Sequence, residues 1–165
     1  MTTRSAFPSS KAPARPTLGT VVLAVATSST ALCALVLLGS VSGHLLLIPP
    51  MAASMALVAG APTLPLSQPR NVIGGQSISA LVGVAVGCVG NSLWAGAVAG
   101  GVALGAMLAT RTSHSPAAAT AVIGALTVDG LVSFTACATL AAVILVVAGW
   151  ISAKATRSGY PVYWW

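Results

Sequence analysis

The chain has 165 residues, 56% of them hydrophobic and only 5% charged, and a formal net charge of +6. That charge content is far below a soluble protein's, and together with long apolar runs it reads as a single-domain polytopic membrane protein. The seven Lys and Arg lie outside the apolar runs or at their edges, with no basic cluster interleaved with aromatics. This excludes a nucleic-acid face.

Residues 1–17 are polar, basic and rich in Pro and Ser, which predicts a disordered N-terminal tail. The apolar run that follows is too long for the core of a signal peptide; a transit peptide fits the Arg, the Ser and the lack of acid, but the tail is short and its prolines oppose an amphipathic helix. Residues 18–165 form the transmembrane domain. Six apolar segments divide it, at 18–41, 45–61, 72–90, 93–110, 116–128 and 131–152. No ten-residue alternation with turn punctuation occurs, so the predicted fold class is all-α.

The second segment contains Pro49-Pro50, and a proline disfavours the helical region for the residue before it. A helix here starts at about Pro50 and runs to Ala61, about 18 Å at 1.5 Å per residue. The fifth segment opens at Ser113-His114-Ser115-Pro116 and stops at Asp129, the only acid in the chain. As a helix it spans about 20 Å, against a bilayer core of roughly 30 Å. Pro116 suits the first helical position, where its missing N–H costs nothing, and Ser115 is placed to cap. Both short segments open with Pro-x-Ala-Ala-[Ser/Thr], at Pro50–Ser54 and Pro116–Thr120. Each is the middle member of a three-segment half, which predicts a 3+3 inverted repeat, and Pro-interrupted segments at corresponding positions point to a transporter's binding site.

The third segment is preceded by the polar stretch Gln68-Pro69-Arg70-Asn71 and contains Gly74-Gly75-Gln76. Arg70 reads either as an anchor at the membrane surface or as a guide for an anion. Gly83-x-x-x-Gly87, Gly96-x-x-x-Gly100 and Gly101-x-x-x-Gly105 predict close helix packing on the third and fourth segments. Cys33, Cys88 and Cys137 fall inside apolar runs without zinc-binding spacing and are expected to be packed free thiols.

Six crossings with a cytoplasmic N-terminus put all seven basic residues inside, leaving His44, Gly90-Asn91-Ser92 and Asp129-Gly130 outside. Both termini are then cytoplasmic, in a bacterial inner membrane. Trp150, Tyr160, Tyr163, Trp164 and Trp165 fall at the inner interface, as belt residues. No catalytic set assembles from one acid and two histidines on opposite sides, so no enzyme activity, metal or cofactor is expected. What remains is a polar site where two helix N-termini meet near mid-depth, each with a partial positive charge and free N–H groups that favour an anion. The residues placed there are Pro50, Ser54, Arg70, Asn71, Gln76, His114, Ser115, Pro116 and Thr120. The competing reading is an ordinary kinked helix with interfacial cap residues.

Three motifs in order, Pro65-Leu66-Ser67-Gln68-Pro69-Arg70-Asn71-Val72-Ile73-Gly74-Gly75, His114-Ser115-Pro116-Ala117-Ala118-Ala119-Thr120-Ala121 and Tyr160-Pro161-Val162-Tyr163-Trp164, resemble the HPP family of small integral membrane proteins. The similarity runs from about Leu45 to Trp165. Two departures stand out: His114-Ser115-Pro116 replaces the family's His-Pro-Pro, and Gln76 stands where the family usually has His. The resemblance implies about four spanning helices, fewer than the six segments drawn above. It also implies a nitrite-like anion, because plant and cyanobacterial relatives are associated with nitrite transport. The function expected is thus a transporter or channel for a small monovalent anion, nitrite first. A non-transporting structural or accessory membrane subunit is the alternative. Thin, Gly-rich helices in 16.2 kDa enclose little volume, so a homo-oligomer is expected, a dimer being the simplest.

Overall fold

The structure, a computed structural model, describes residues 14–127 and 130–165. Most of the 1–17 tail, with Arg4 and Lys11, lies outside the described residues, as does Asp129. The described residues form six α-helices: α1 (Leu18–Ser42), α2 (Pro49–Gly60), α3 (Pro69–Val89), α4 (Leu93–Thr110), α5 (Ser115–Leu126) and α6 (Leu131–Thr156), with a short 3-10 turn at Pro65–Ser67. No strand occurs among the described residues. Four helices, α1, α3, α4 and α6, are long and apolar enough to cross a membrane; α2 and α5 are not. The chain is a polytopic helical membrane protein.

Local sequence sets the helix ends. Thr17 accepts from the Thr20 N–H at 3.3 Å and Ser92 from the Ala95 N–H at 3.2 Å, both as N-caps. Three helices have proline in the first turn: α2, α3 and α5. In α5 the cap residue is His114 and Ser115 is already helical, exposed and not a side-chain cap, because Pro116 takes the second helical position rather than the first. α2 likewise starts one residue earlier than the sequence suggests, at Pro49.

Contacts between helices fix their directions. Along α3, Gly75 lies beside His114, Gly83 beside Ala121 and Gly87 beside Ala125, so α3 and α5 run parallel. Gly96 and Gly100 of α4 face Val122 and Ala118, so α4 runs opposite to both. Ser77 bonds Thr139 at 2.8 Å, and Gly124, which packs on Val84, also packs on Phe134, so α6 descends along α3. Thr27 of α1 bonds Ser152 of α6 at 2.9 Å. After α1 the chain doubles back: the His44 carbonyl and Leu46 N–H lie against Gly39. Residues 45–48, outside any helix and extended at Ile48, then lead into α2, whose Val58 packs on Gly149. Successive helices alternate in direction, and the segments holding α2 and α5 each join opposite ends of the bundle.

α3 is the hub, packing on α4, α5 and α6. The larger core cluster joins Leu35, Met51, Met55, Val72, Leu145 and Val146, and a smaller one joins Ala99, Ala103, Ala121 and Ala125. The small residues let α4 and α5 approach closely. Of the glycine pairs, Gly83/Gly87 and Gly96/Gly100 pack against α5, whereas Gly101 and Gly105 face open space. Cys33 and Cys88 sit on the outer surface of the bundle and only Cys137 is partly buried, which corrects the expectation of packed thiols. The surface of a membrane bundle faces lipid, so an apolar side chain gains little by packing inward there.

Candidate functional site

Four polar residues in this apolar bundle converge on one point. Ser54 comes from α2, Gln76 from α3, and His114 and Thr120 from the first turns of α5; Ser54, Gln76 and Thr120 are fully buried and His114 is 1% exposed. The Leu66 carbonyl accepts from His114 Nδ1 at 2.7 Å. His114 Nε2 lies 2.7 Å from Ser54 Oγ. Gln76 Nε2 donates to Ser54 Oγ at 2.9 Å, and Thr120 Oγ1 donates to Gln76 Oε1 at 2.5 Å. Ser54 Oγ also lies 2.8 Å from the Pro50 carbonyl, one turn back in α2. Glycine makes the crossing possible: a methyl at Gly75 would collide with His114 Cβ and the Thr112 carbonyl, at 2.7 and 2.8 Å.

The antiparallel first turns of α2 and α5 are thus laid side by side, with Gln76 bridging them. Gln76 is seven residues into α3, about 10 Å from that helix's start. The crossing therefore lies about a third of the way along the roughly 30 Å of α3, nearer its first end than the midplane the sequence suggests. The reason is the tight return after α4, in which Thr112 already packs on Gly74 and His114 on Gly75.

The supply of backbone N–H groups is smaller than expected. An ordinary helix start leaves four without partners. In α2, Pro49 and Pro50 have none and Met51 donates to the Ile48 carbonyl at 2.9 Å, leaving one of the four. In α5, Pro116 has none and Ala117 donates to the His114 carbonyl at 3.0 Å. The same prolines that start these helices remove their donors, so the polar chemistry here belongs to side chains.

Of the other expected site residues, only Pro50 touches this chain of hydrogen bonds. Pro50 is buried and contributes its carbonyl, and Pro116 only shapes the turn. Asn71 Nδ2 donates to the Pro65 carbonyl at 2.7 Å and fastens the loop before α3. The Arg70 guanidinium reaches the Thr110 carbonyl at 3.3 Å and sits 5.2 Å from the Trp165 ring centroid. Ser115 is exposed and outside the network.

Three groups were not anticipated. The Leu66 carbonyl is backbone, and no sequence signal marks it. Gln68, fully buried, donates to the Pro62 and Leu64 carbonyls and accepts from the Val162 N–H at 2.8 Å, tying the C-terminal segment to the Leu66 loop. Ser79, also fully buried, has a hydroxyl with no partner. Its signal was there: a serine one turn beyond Gln76 in an apolar helix.

The aromatic cluster at this end is real, with Trp150 and Trp164 edge to face at 6.5 Å and Lys154 6.0 Å from the Trp150 ring. Tyr160 corrects the expectation of a belt residue: it is 5% exposed and packs on Gly149. Arg15, Arg70, Arg111, Lys154 and Arg157, the described basic residues, all lie at the end of the bundle where α1 and α3 begin and α4 and α6 finish.

Long helices flanking two proline-started half-helices, crossed over a buried polar network, define a class of small polytopic membrane protein. The chain belongs to the HPP family: the model of the HPP transmembrane region matches residues 13–161. A transmembrane protein of Dictyostelium discoideum is 36% identical over 129 residues, covering 72% of this chain and 45% of the relative. A second transmembrane protein of the same organism is 34% identical over 124 residues, covering 69% and 40%. The chain spans less than half the length of these curated relatives. No solved structure matches.

Proposed function

We propose that this protein is a transporter or channel for a small monovalent anion, with nitrite the first candidate. The carrying observation is the crossing itself: three helices contribute Ser54, Gln76, His114 and Thr120 to one buried chain of hydrogen bonds. Ionisable and polar groups inside a membrane bundle are expensive and typically serve a pathway. Half-helices that start at depth and run in opposite directions are the form such sites take in transporters. Both helix starts carry their positive dipole ends toward the crossing, which favours negative charge even with few free N–H groups. Nitrite is chosen on the family resemblance.

The alternation of helix directions, long-short-long followed by its reverse, supports reading the halves as an inverted repeat. The repeat makes Ser54 and Thr120 counterparts, and both bond Gln76. On this reading the basic end faces the cytoplasm of a bacterial cell and the protein acts as a homo-oligomer.

Purified protein in liposomes loaded with a nitrite-responsive reporter tests the proposal. Uptake of nitrite above empty vesicles is expected. No flux of nitrite, nitrate or formate would count against it and favour an accessory subunit.

A further inference from the structure

We propose that His114 is a proton-binding site that loads together with the anion, so that one proton accompanies each monovalent anion; this rests on the transport reading above. The argument is a count of hydrogens. The Leu66 carbonyl can only accept, so His114 Nδ1 carries a hydrogen. The tautomer with hydrogen on Nε2 alone would set two acceptors face to face at 2.7 Å. With Nδ1 protonated and the ring neutral, Nε2 is an acceptor and needs the Ser54 hydroxyl hydrogen. That hydroxyl has one hydrogen and two claimants, Nε2 at 2.7 Å and the Pro50 carbonyl at 2.8 Å. A neutral ring therefore leaves one close contact without a hydrogen.

One added proton resolves the conflict. Nε2–H then donates to Ser54 Oγ, Ser54 donates to the Pro50 carbonyl, and Gln76 still donates to Ser54. Ser54 Oγ uses both lone pairs and its hydrogen, both ring nitrogens donate, and all five close contacts of the chain are hydrogen bonds. The heavy-atom geometry suits an imidazolium.

The groups that face His114 carry no formal charge. They are Ser54 from α2, the Leu66 carbonyl from the preceding turn, Gly75 from α3, and Thr112 before α5. Met107 of α4 meets the same position at Gly75 through its sulfur. Arg70, earlier on α3, turns its guanidinium to Thr110 and Trp165. A cation here without a counter-ion is costly in an apolar bundle, so proton and anion each favour the binding of the other.

Ser79 supplies an independent sign of an anion. Ser54 and Ser77 have hydroxyls bonded to the carbonyl four residues earlier, but the buried Ser79 hydroxyl has no partner. Along α3, Gly75 meets His114 and Gly83 meets Ala121, so Ser79, midway between them, faces the first turns of α5. A buried donor without an acceptor suits a ligand that only accepts, such as nitrite.

The test is nitrogen NMR of histidine-labelled protein in nanodiscs, titrated with and without sodium nitrite. The exposed His44, whose Nδ1 bonds its own Ser42 carbonyl, is the internal reference. His114 is expected as the Nδ1–H form when neutral. Nitrite should move its protonation midpoint up by about one pH unit, a coupling of about tenfold within the usual range for linked ligands. A Ser79→Ala variant should lose most of that movement. Liposome flux should follow the pH gradient, and His114→Gln should uncouple it. An unmoved midpoint with intact nitrite flux overturns the proton proposal and leaves transport standing. An unmoved midpoint with no flux overturns both.

Discussion

Thr120 and Gln76 separate a structural role of the network from the transport role proposed for it. Thr120 donates to Gln76 Oε1, so Thr120→Val keeps the shape and strips one hydrogen bond, at a cost of about 1–3 kcal/mol for the acceptor left bare. Gln76→Leu removes donor and acceptor together and leaves the Thr120 hydroxyl without its acceptor and Ser54 without its donor. We expect Thr120→Val to express near wild-type levels with nitrite flux reduced several-fold. Gln76→Leu should melt clearly lower in detergent as well. Equal losses of melting temperature and flux in both would mean that the network only holds the fold. Gln76 suits this account: an amide both donates and accepts, so it bridges the Ser54 and Thr120 hydroxyls.

At the scale of elements, glycine decides which helices touch. A methyl on Gly83 would meet the Ala121 backbone, with its Cα at 2.7 Å, and backbone cannot swing aside. Gly83→Ala should therefore push α3 from α5 and destabilise by about 1–3 kcal/mol, the usual range for overpacking. Gly105 has nothing within 4 Å of a added methyl, so Gly105→Ala should be neutral or slightly stabilising through helix propensity. Thermal melting of the two variants side by side checks this, and comparable behaviour would show that the α3–α5 contact is looser than described. The same α3–α5 seam holds His114 and Thr120 against Gln76, so Gly83→Ala should also impair flux.

For the whole molecule, the placement of charge predicts sidedness. Arg15, Arg70, Arg111, Lys154 and Arg157 share one end, and loops of that composition stay cytoplasmic. In a background with Cys33, Cys88 and Cys137 replaced by Ser, a cysteine at Arg157 should react with a membrane-impermeant thiol reagent only after cells are opened. A cysteine at Asn91, at the other end, should react in intact cells. The opposite pattern would invert the topology, although the crossing of α2 and α5 would be unchanged. Native mass in mild detergent tests the homo-oligomer: a monomer alone would remove that part of the proposal.

The sequence by itself determined the class and the helix order, and it picked out the four polar residues that the structure brings together. These follow from local causes: apolar run length against bilayer thickness, proline's fixed backbone and missing N–H, and the cost of polar residues in an apolar chain. Ser54, Gln76, His114 and Thr120 could be picked for those reasons alone. Arg70, Asn71 and Ser115 looked equally good, because a sequence shows that a residue is polar but not which groups it meets. Only the tertiary structure decided that Asn71 fastens a loop, that Arg70 reaches Thr110 and Trp165, and that Ser115 faces outward. It also placed the crossing a third of the way along α3 and brought a backbone carbonyl, Leu66, to the histidine. Depth and partners depend on how tightly the return after α4 packs on Gly74 and Gly75, a contact between residues far apart in the chain.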